Sequence, residues 1–319
     1  MAILSIARLT YLEALRQPLG LVLAFVLATL ALFSPSFTSF TLGKGVDLLR
    51  SNLLSTLMLG GVIFASLLSN ELIQKDLQRK TLLTILSRPV NIPSYYLGKW
   101  LGIAALLSHF WIVMVGVSWT AMVIGTPDSA STDHNFIALT TLGIGLVIIV
   151  ILSLLLNYAF NLHIISFIFS GWALWTPVTI LVTMVLSPPL HLPLPSLHGT
   201  FQFLLAAFLV GALIQIVASF AMALSTVTTA VANMILCLLF LFIGLMGPGL
   251  ESLAGQVHPW LQMASRVLPD FHLLWTADWL SMEHTIPLDH LVHSFLYSLS
   301  LMASFSFLGV YAMMRKDLS

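Results

Sequence analysis

The sequence predicts an all-α, polytopic helical membrane protein, and three observations carry that prediction. Charged residues occupy only 8% of its 319 positions, against about 25% in a soluble domain. From His134 to Leu250 there is no Asp, Glu, Lys or Arg at all. No solvated core accommodates such a stretch, whereas a hydrocarbon layer about 30 Å thick consumes roughly 20 apolar residues per helix. The apolar runs do not alternate with polar residues, as a transmembrane β-barrel would require. Formal net charge is zero, so no nucleic-acid partner is implied. The single cysteine, Cys237, cannot form an internal disulfide.

The elements follow in chain order. Residues 1–17, MAILSIARLTYLEALRQ, place Arg8, Glu13 and Arg16 on one side of a helix and Ile3, Leu4, Ala7, Tyr11 and Leu15 on the other. An amphipathic amino-terminal helix lying in the interface, charges towards water, is expected. Pro18 suits a bend into the first span. A cleaved signal is disfavoured, because ALFSPSF after the first apolar run offers no small-x-small site. Spans are expected near 18–34, 52–70, 100–124, 137–158, 163–186, 201–224, 228–247 and 290–314, eight in number. With the amino terminus cytoplasmic, the inner segments carry Arg8, Arg16, Lys75, Arg79, Lys80, Arg88, Lys99, Arg315 and Lys316. The outer loops carry only Lys44, Arg50 and Arg266. That excess places both termini in the cytoplasm, because Lys and Arg resist translocation.

Between the second and third spans lies a polar island, Glu71 to Lys99, holding five of the twelve Lys and Arg residues. Residues 72–87 are good helix formers. Arg88 precedes Pro89, which breaks helical geometry, and Asn91 then caps a second helix with Pro93 in its first turn. A helical elbow on the cytoplasmic surface is expected. It is read either as a solvated basic loop at the lipid headgroups or as a docking element for a soluble partner.

Glu71, Lys80-Thr81, Leu86-Ser87-Arg88-Pro89-Val90 and Leu97-Gly98-Lys99 together resemble the cytoplasmic loop of type-2 ATP-binding-cassette (ABC) exporter permeases. Weaker likenesses are Ala223-Leu224-Ser225-Thr226, Leu268-Pro269 and Arg315-Lys316-Asp317-Leu318. Lys80 stands where the family usually has Gly. The family has six spans, so the resemblance implies a six-helix exporter core with an inserted hairpin at 137–186, all within one transmembrane domain, 1–319. It also implies a multi-pass protein of the bacterial cytoplasmic (inner) membrane. Such a permease subunit couples ATP hydrolysis in a separate ATPase to export or extraction of a hydrophobic or amphipathic substrate. The coupling residues implied are Glu71, Lys75, Arg79, Lys80, Thr81, Arg88 and Pro89.

The chain has no G-x-x-x-x-G-K-[ST] phosphate cradle: Gly98-Lys99 has Pro93 and Gly43-Lys44 has Thr38 where the upstream Gly belongs. Accordingly the chain is not expected to be an enzyme or to hold a cofactor, and ATP and Mg belong to the partner subunit. Expected partners are ABC ATPase subunits, a second permease copy or paralogue, membrane lipids and additional subunits. Two-copy contacts are expected along 52–70 and 201–224, and an extra subunit against Gly143 and Gly145. The alternative function is a membrane scaffold or assembly subunit without transport of its own.

Asn157, Asn161, Gln215 and Asn233 are the polar residues of interest within the apolar blocks. They are read either as interhelical hydrogen-bonding groups or as lining a substrate path. No ionisable residue is expected at mid-membrane depth, which argues against a proton- or sodium-coupled carrier. Eight of ten histidines fall on the outer side. His290 and His293, near Asp289 and Glu283, have metal-ligand spacing, but interfacial His and Trp at headgroup depth explain them equally. No metal site is assigned. His284 to Asp289 spells H-x-x-x-x-D, a two-position pattern that arises by chance. Residues 251–289 are too apolar for free solution and too charged for a span, which predicts short interfacial or re-entrant helices on the outer side.

Overall fold

A computed structural model describes residues 2–38, 45–78, 91–125, 135–188, 194–247, 268–281 and 285–315. Among these residues there are ten α-helices and no strands: α1 (Ala2–Leu15), α2 (Pro18–Thr38), α3 (Gly45–Gln78), α4 (Ile92–Ile124), α5 (Ile137–Phe160), α6 (Ile164–Leu186), α7 (Leu197–Leu224), α8 (Ala230–Leu245), α9 (Ala277–Ser281) and α10 (Leu288–Arg315). Seven of them, α2 to α7 and α10, are long and apolar enough to cross a membrane. The eighth expected span, α8, has only 16 residues, about 24 Å. Its start shares a cavity with Ala312 and Arg315 of α10. Its far end meets Phe271 at Gly244, beside Asp270, whose backbone N–H donates to the Tyr297 hydroxyl at 2.9 Å. The short helix therefore covers the same layer as α10 does between Ala312 and Tyr297.

Helices α3, α4 and α7 form the centre. α3 packs on α7 and α2, and α4 touches α1, α2, α3, α6, α7 and α10. Gly60 and Gly61 let α3 be approached from two sides: a Cβ at Gly60 would collide with the side chain of Leu27 of α2, and one at Gly61 with that of Ile214 of α7. Small residues permit this close approach, which is how helices associate without a hydrophobic driving force between them. Several hydroxyls inside the spans are met by their own helix. Thr120 donates to Gly116, Ser153 to Ile149 and Thr183 to Thr179, each four residues back.

Three boundaries differ from expectation. α3 starts at 45 rather than 52 and runs without a break to 78, taking in the first part of the island. α4 starts at 92 rather than 100. Charge ends a membrane span but not a helix, so Asp47, Arg50, Lys75, Asp76 and Lys99 ride on helical extensions beyond the apolar layer. Asn91 does stand at the helix start with Pro93 in the first turn, but its side chain makes no capping hydrogen bond.

The two-copy contact expected along 52–70 and 201–224 would fall on the inner helices of this chain: α3 and α7 have 61% and 67% of their apolar windows buried, while Leu59, Leu204 and Phe208 stay exposed. The hairpin α5–α6 lies at the edge of the chain, with 22% and 28% of its apolar windows buried. Gly145 is not free to receive another subunit. It seats the Trp175 ring, whose Nε1–H donates to the Thr141 carbonyl at 3.0 Å, while Gly143 faces open space.

α1 lies against α4 along Gly98 and Gly102. A Cβ at Gly98 would sit 3.0 Å from the Ile3 carbonyl oxygen, and one at Gly102 would sit 2.7 Å from that of Ala7. A backbone atom cannot turn aside as a side chain can. Gly102→Leu is therefore expected to lift α1 and destabilise the fold by about 1–3 kcal/mol, the usual cost of overpacking. An Ala7→Cys probe should become thiol-reactive in detergent in that variant and stay protected with Gly102 in place.

Candidate functional site

The island's two roots are held by a cluster of charges. Lys75 and Asp76 stand near the end of α3, Tyr95 and Lys99 near the start of α4, and Glu13 near the end of α1. The Lys99 ammonium lies 2.7 Å from the Asp76 carboxylate and 4.0 Å from that of Glu13. Lys75 donates to Glu13 at 2.8 Å, and the Tyr95 hydroxyl donates to Asp76. Two cations face two anions, so the cluster is neutral as a whole. Lys99 is only 5% exposed, so it needs its partners, because an unpaired buried charge is very costly. The Lys75–Glu13 pair is about one-third exposed, and water screens it.

Of the three charges of the first helix expected to face water, Glu13 is 39% exposed and also pairs with Lys75. The arrangement gives Leu97-Gly98-Lys99 a physical reason in this chain: Gly98 admits α1, and Lys99 joins α3 and α1 to α4. Sequence reading missed Glu13, Asp76 and Tyr95. One available signal was the opposite charge of Asp76 and Lys99 at the two roots of a single loop. Of the residues assigned to coupling, Glu71 is exposed and Lys75 is in the cluster, whereas Arg79, Lys80, Thr81, Arg88 and Pro89 lie outside the described residues. So does the break between the two elbow helices.

A second set of contacts sits at the same end of the bundle. Gln74 Nε2 donates to the carbonyls of Ser225 at 2.6 Å and Thr228 at 3.1 Å, and Asn70 Nδ2 donates to Thr228 at 3.1 Å. α3 thereby holds the α7–α8 turn, the region of Ala223 to Thr226. Asn70, Gln74 and Thr228 line a cavity of about 800 Å³ with Arg315 at the end of α10. The ends of α1, α3, α7 and α10 and the start of α4 therefore form one face.

Asn157 and Asn161 sit at the end of α5. Asn161 ends α5 in the left-handed conformation, φ 58°, which Asn tolerates and which commonly stops helices. Asn157 Nδ2 donates to the Leu162 carbonyl at 2.6 Å, so both residues close the α5–α6 turn. Gln215 joins α7 to α4, with its Nε2 donating to the Ala104 carbonyl at 3.0 Å. Asn233, fully buried, donates to the Ala221 carbonyl at 3.0 Å and accepts from Cys237 Sγ at 3.4 Å. All four make packing or turn contacts, and Gln215 also lines a cavity with Trp100, Trp111 and Phe208.

At the opposite end, the described parts of 251–289 fold onto the bundle. A 3₁₀ turn at Phe271–Leu273 and the short α9 bury Phe271, Leu274, Ala277 and Leu280, with α9 against α3 and α7. Gln202 Oε1 accepts from the Ile286 backbone N–H at 2.9 Å. His290 Nε2 donates to the Leu273 carbonyl at 3.0 Å and His293 Nδ1 to that of Asp289 at 2.6 Å. Each spends a ring nitrogen on the backbone, and no group of three metal-ligating side chains occurs among the described residues.

The fold and composition define a multi-pass helical membrane protein with a charged, braced loop root at one face. No protein-family model matches the chain, and no curated protein matches it significantly.

Proposed function

We propose that this chain is the permease subunit of an ABC transporter, in which a separate ATPase docks on the 71–99 region and its closure drives export or extraction of a hydrophobic or amphipathic substrate. The observation that carries the reading is the cluster of Glu13, Lys75, Asp76, Tyr95 and Lys99. It ties both roots of the 79–90 segment to α1 and to the central helices α3 and α4, so a force applied to that segment moves the core as a unit rather than being absorbed at a hinge. The second contact set, from Asn70 and Gln74 to Thr228, extends the same rigid face to α7 and α8. The resemblance of the island to exporter coupling loops and the absence of a phosphate cradle in the chain support the assignment of ATP to a partner. A second permease copy completes the pathway, and the described parts of 268–287 cap it on the outer side. Both termini face the cytoplasm of a bacterial inner membrane on the charge asymmetry.

A membrane scaffold or assembly role is the second reading. It is favoured by the outward apolar face of the α5–α6 hairpin, which offers a broad surface to another membrane subunit. Thiol labelling tests what the leading reading requires. Ser129→Cys and Ser281→Cys should react with an impermeant reagent in spheroplasts, while Gln78→Cys should not. The native Cys237 is buried and gives no background. Labelling at position 78 instead would put the loop root outside and remove the ATPase-docking reading.

A further inference from the structure

The flank formed by α4 and α10 carries a groove that meets the coupling face only at Arg315, which also lines the cavity beside Asn70 and Gln74. Nearest the charged face it is a cavity of about 640 Å³ lined by Pro93, Leu97 and Trp100 of α4 and by Ser306, Val310 and Met314 of α10. It continues inward as a second cavity of about 380 Å³, where Trp111 and Phe208 also contribute, and the two share Trp100, Leu299 and Met302. From Met314 to Leu299 the groove runs about 22 Å along α10 at 1.5 Å per residue. That exceeds the about 15 Å of a single leaflet of hydrocarbon. Gly309 lets the Tyr96 ring close the floor beneath it. At the mouth, Tyr311 lines the cavity, and the Arg315 guanidinium lies 4.7 Å from the Tyr311 ring centre. Among the described residues no carboxylate pairs with Arg315.

We infer that this groove holds one anionic phospholipid, its acyl chain against Trp100, Leu299 and Met302 and its phosphate at Arg315. A long, apolar slot with a guanidinium at the interfacial end is matched to a molecule with one charged end and one apolar tail, and guanidinium groups bind phosphate bidentately. A second transmembrane helix fits less well. An apolar helix face would leave the guanidinium at the mouth without an anionic partner. The inference rests on the membrane fold alone and holds whether or not an ATPase docks on the loop.

Tryptophan quenching tests it, because Trp100 and Trp111 line the groove. The purified full chain is placed in phosphatidylcholine vesicles in which increasing fractions carry dibrominated acyl chains, on phosphatidylglycerol in one series and on phosphatidylcholine in the other. A saturable quenching phase should appear at about fivefold lower mole fraction of the anionic lipid, the factor set by about 1 kcal/mol for one Arg at an anionic lipid. Trp100→Phe should remove most of that phase, Arg315→Gln should bring the two series together, and Ala303→Leu, which narrows the slot, should abolish it for both. Identical curves for the two lipids with Arg315 present, or an unchanged anionic preference in Arg315→Gln, would overturn the proposal. A missing phase with Ala303→Cys crosslinking two copies would overturn it in favour of a protein occupant.

Discussion

Lys99→Met is expected to lower the unfolding free energy of the purified protein by about 3–5 kcal/mol, the cost of breaking a buried ion pair from one side. The variant keeps the apolar stem but leaves Asp76, itself only 14% exposed, with the Tyr95 hydroxyl as its nearest donor. Lys75→Met should cost less than about 1 kcal/mol, since its pair with Glu13 is partly exposed and screened. The double variant Lys99→Met/Asp76→Leu should recover most of the loss, because it removes both buried charges together. Denaturation by SDS in mixed micelles measures all three. Equal losses for Lys99→Met and Lys75→Met would mean that burial does not set the strength of this cluster.

The membrane fold was legible because it follows from an exclusion: charges stay out of hydrocarbon, so uncharged runs mark the helices whatever their packing. Boundaries were less so, since Lys99 and Asp76 end the apolar layer while their helices continue. The pairing of Glu13 with Lys75 was not legible, because the sign of a charge does not say which partner from a helix distant in sequence it meets. The role of Asn161 was within reach, as Asn is a favoured left-handed residue at helix ends. Gln215 and Asn233 were placed correctly in spans, and only packing could show that their amides are spent on neighbouring carbonyls.

Coupling is where the largest functional effect is expected. Glu71→Ala and Arg79→Ala should leave the protein in the membrane while weakening ATPase association, because charges at a docking surface govern orientation and encounter more than stability. Pro89→Ala should act differently, by letting the first elbow helix run on; it should spare binding and uncouple it from the bundle. The most direct measurement pairs partner identity with activity. The chain carrying a photo-crosslinker at Thr81 is irradiated in native membranes, the attached protein is identified by mass spectrometry, and its ATP hydrolysis is measured with and without the permease. The expected product is a soluble ATPase with a G-x-x-x-x-G-K-[ST] motif, stimulated by the unaltered chain and by none of the three variants. Attachment only to lipid or to proteins without nucleotide-binding motifs, or full stimulation by all three variants, would contradict the ATPase-docking reading.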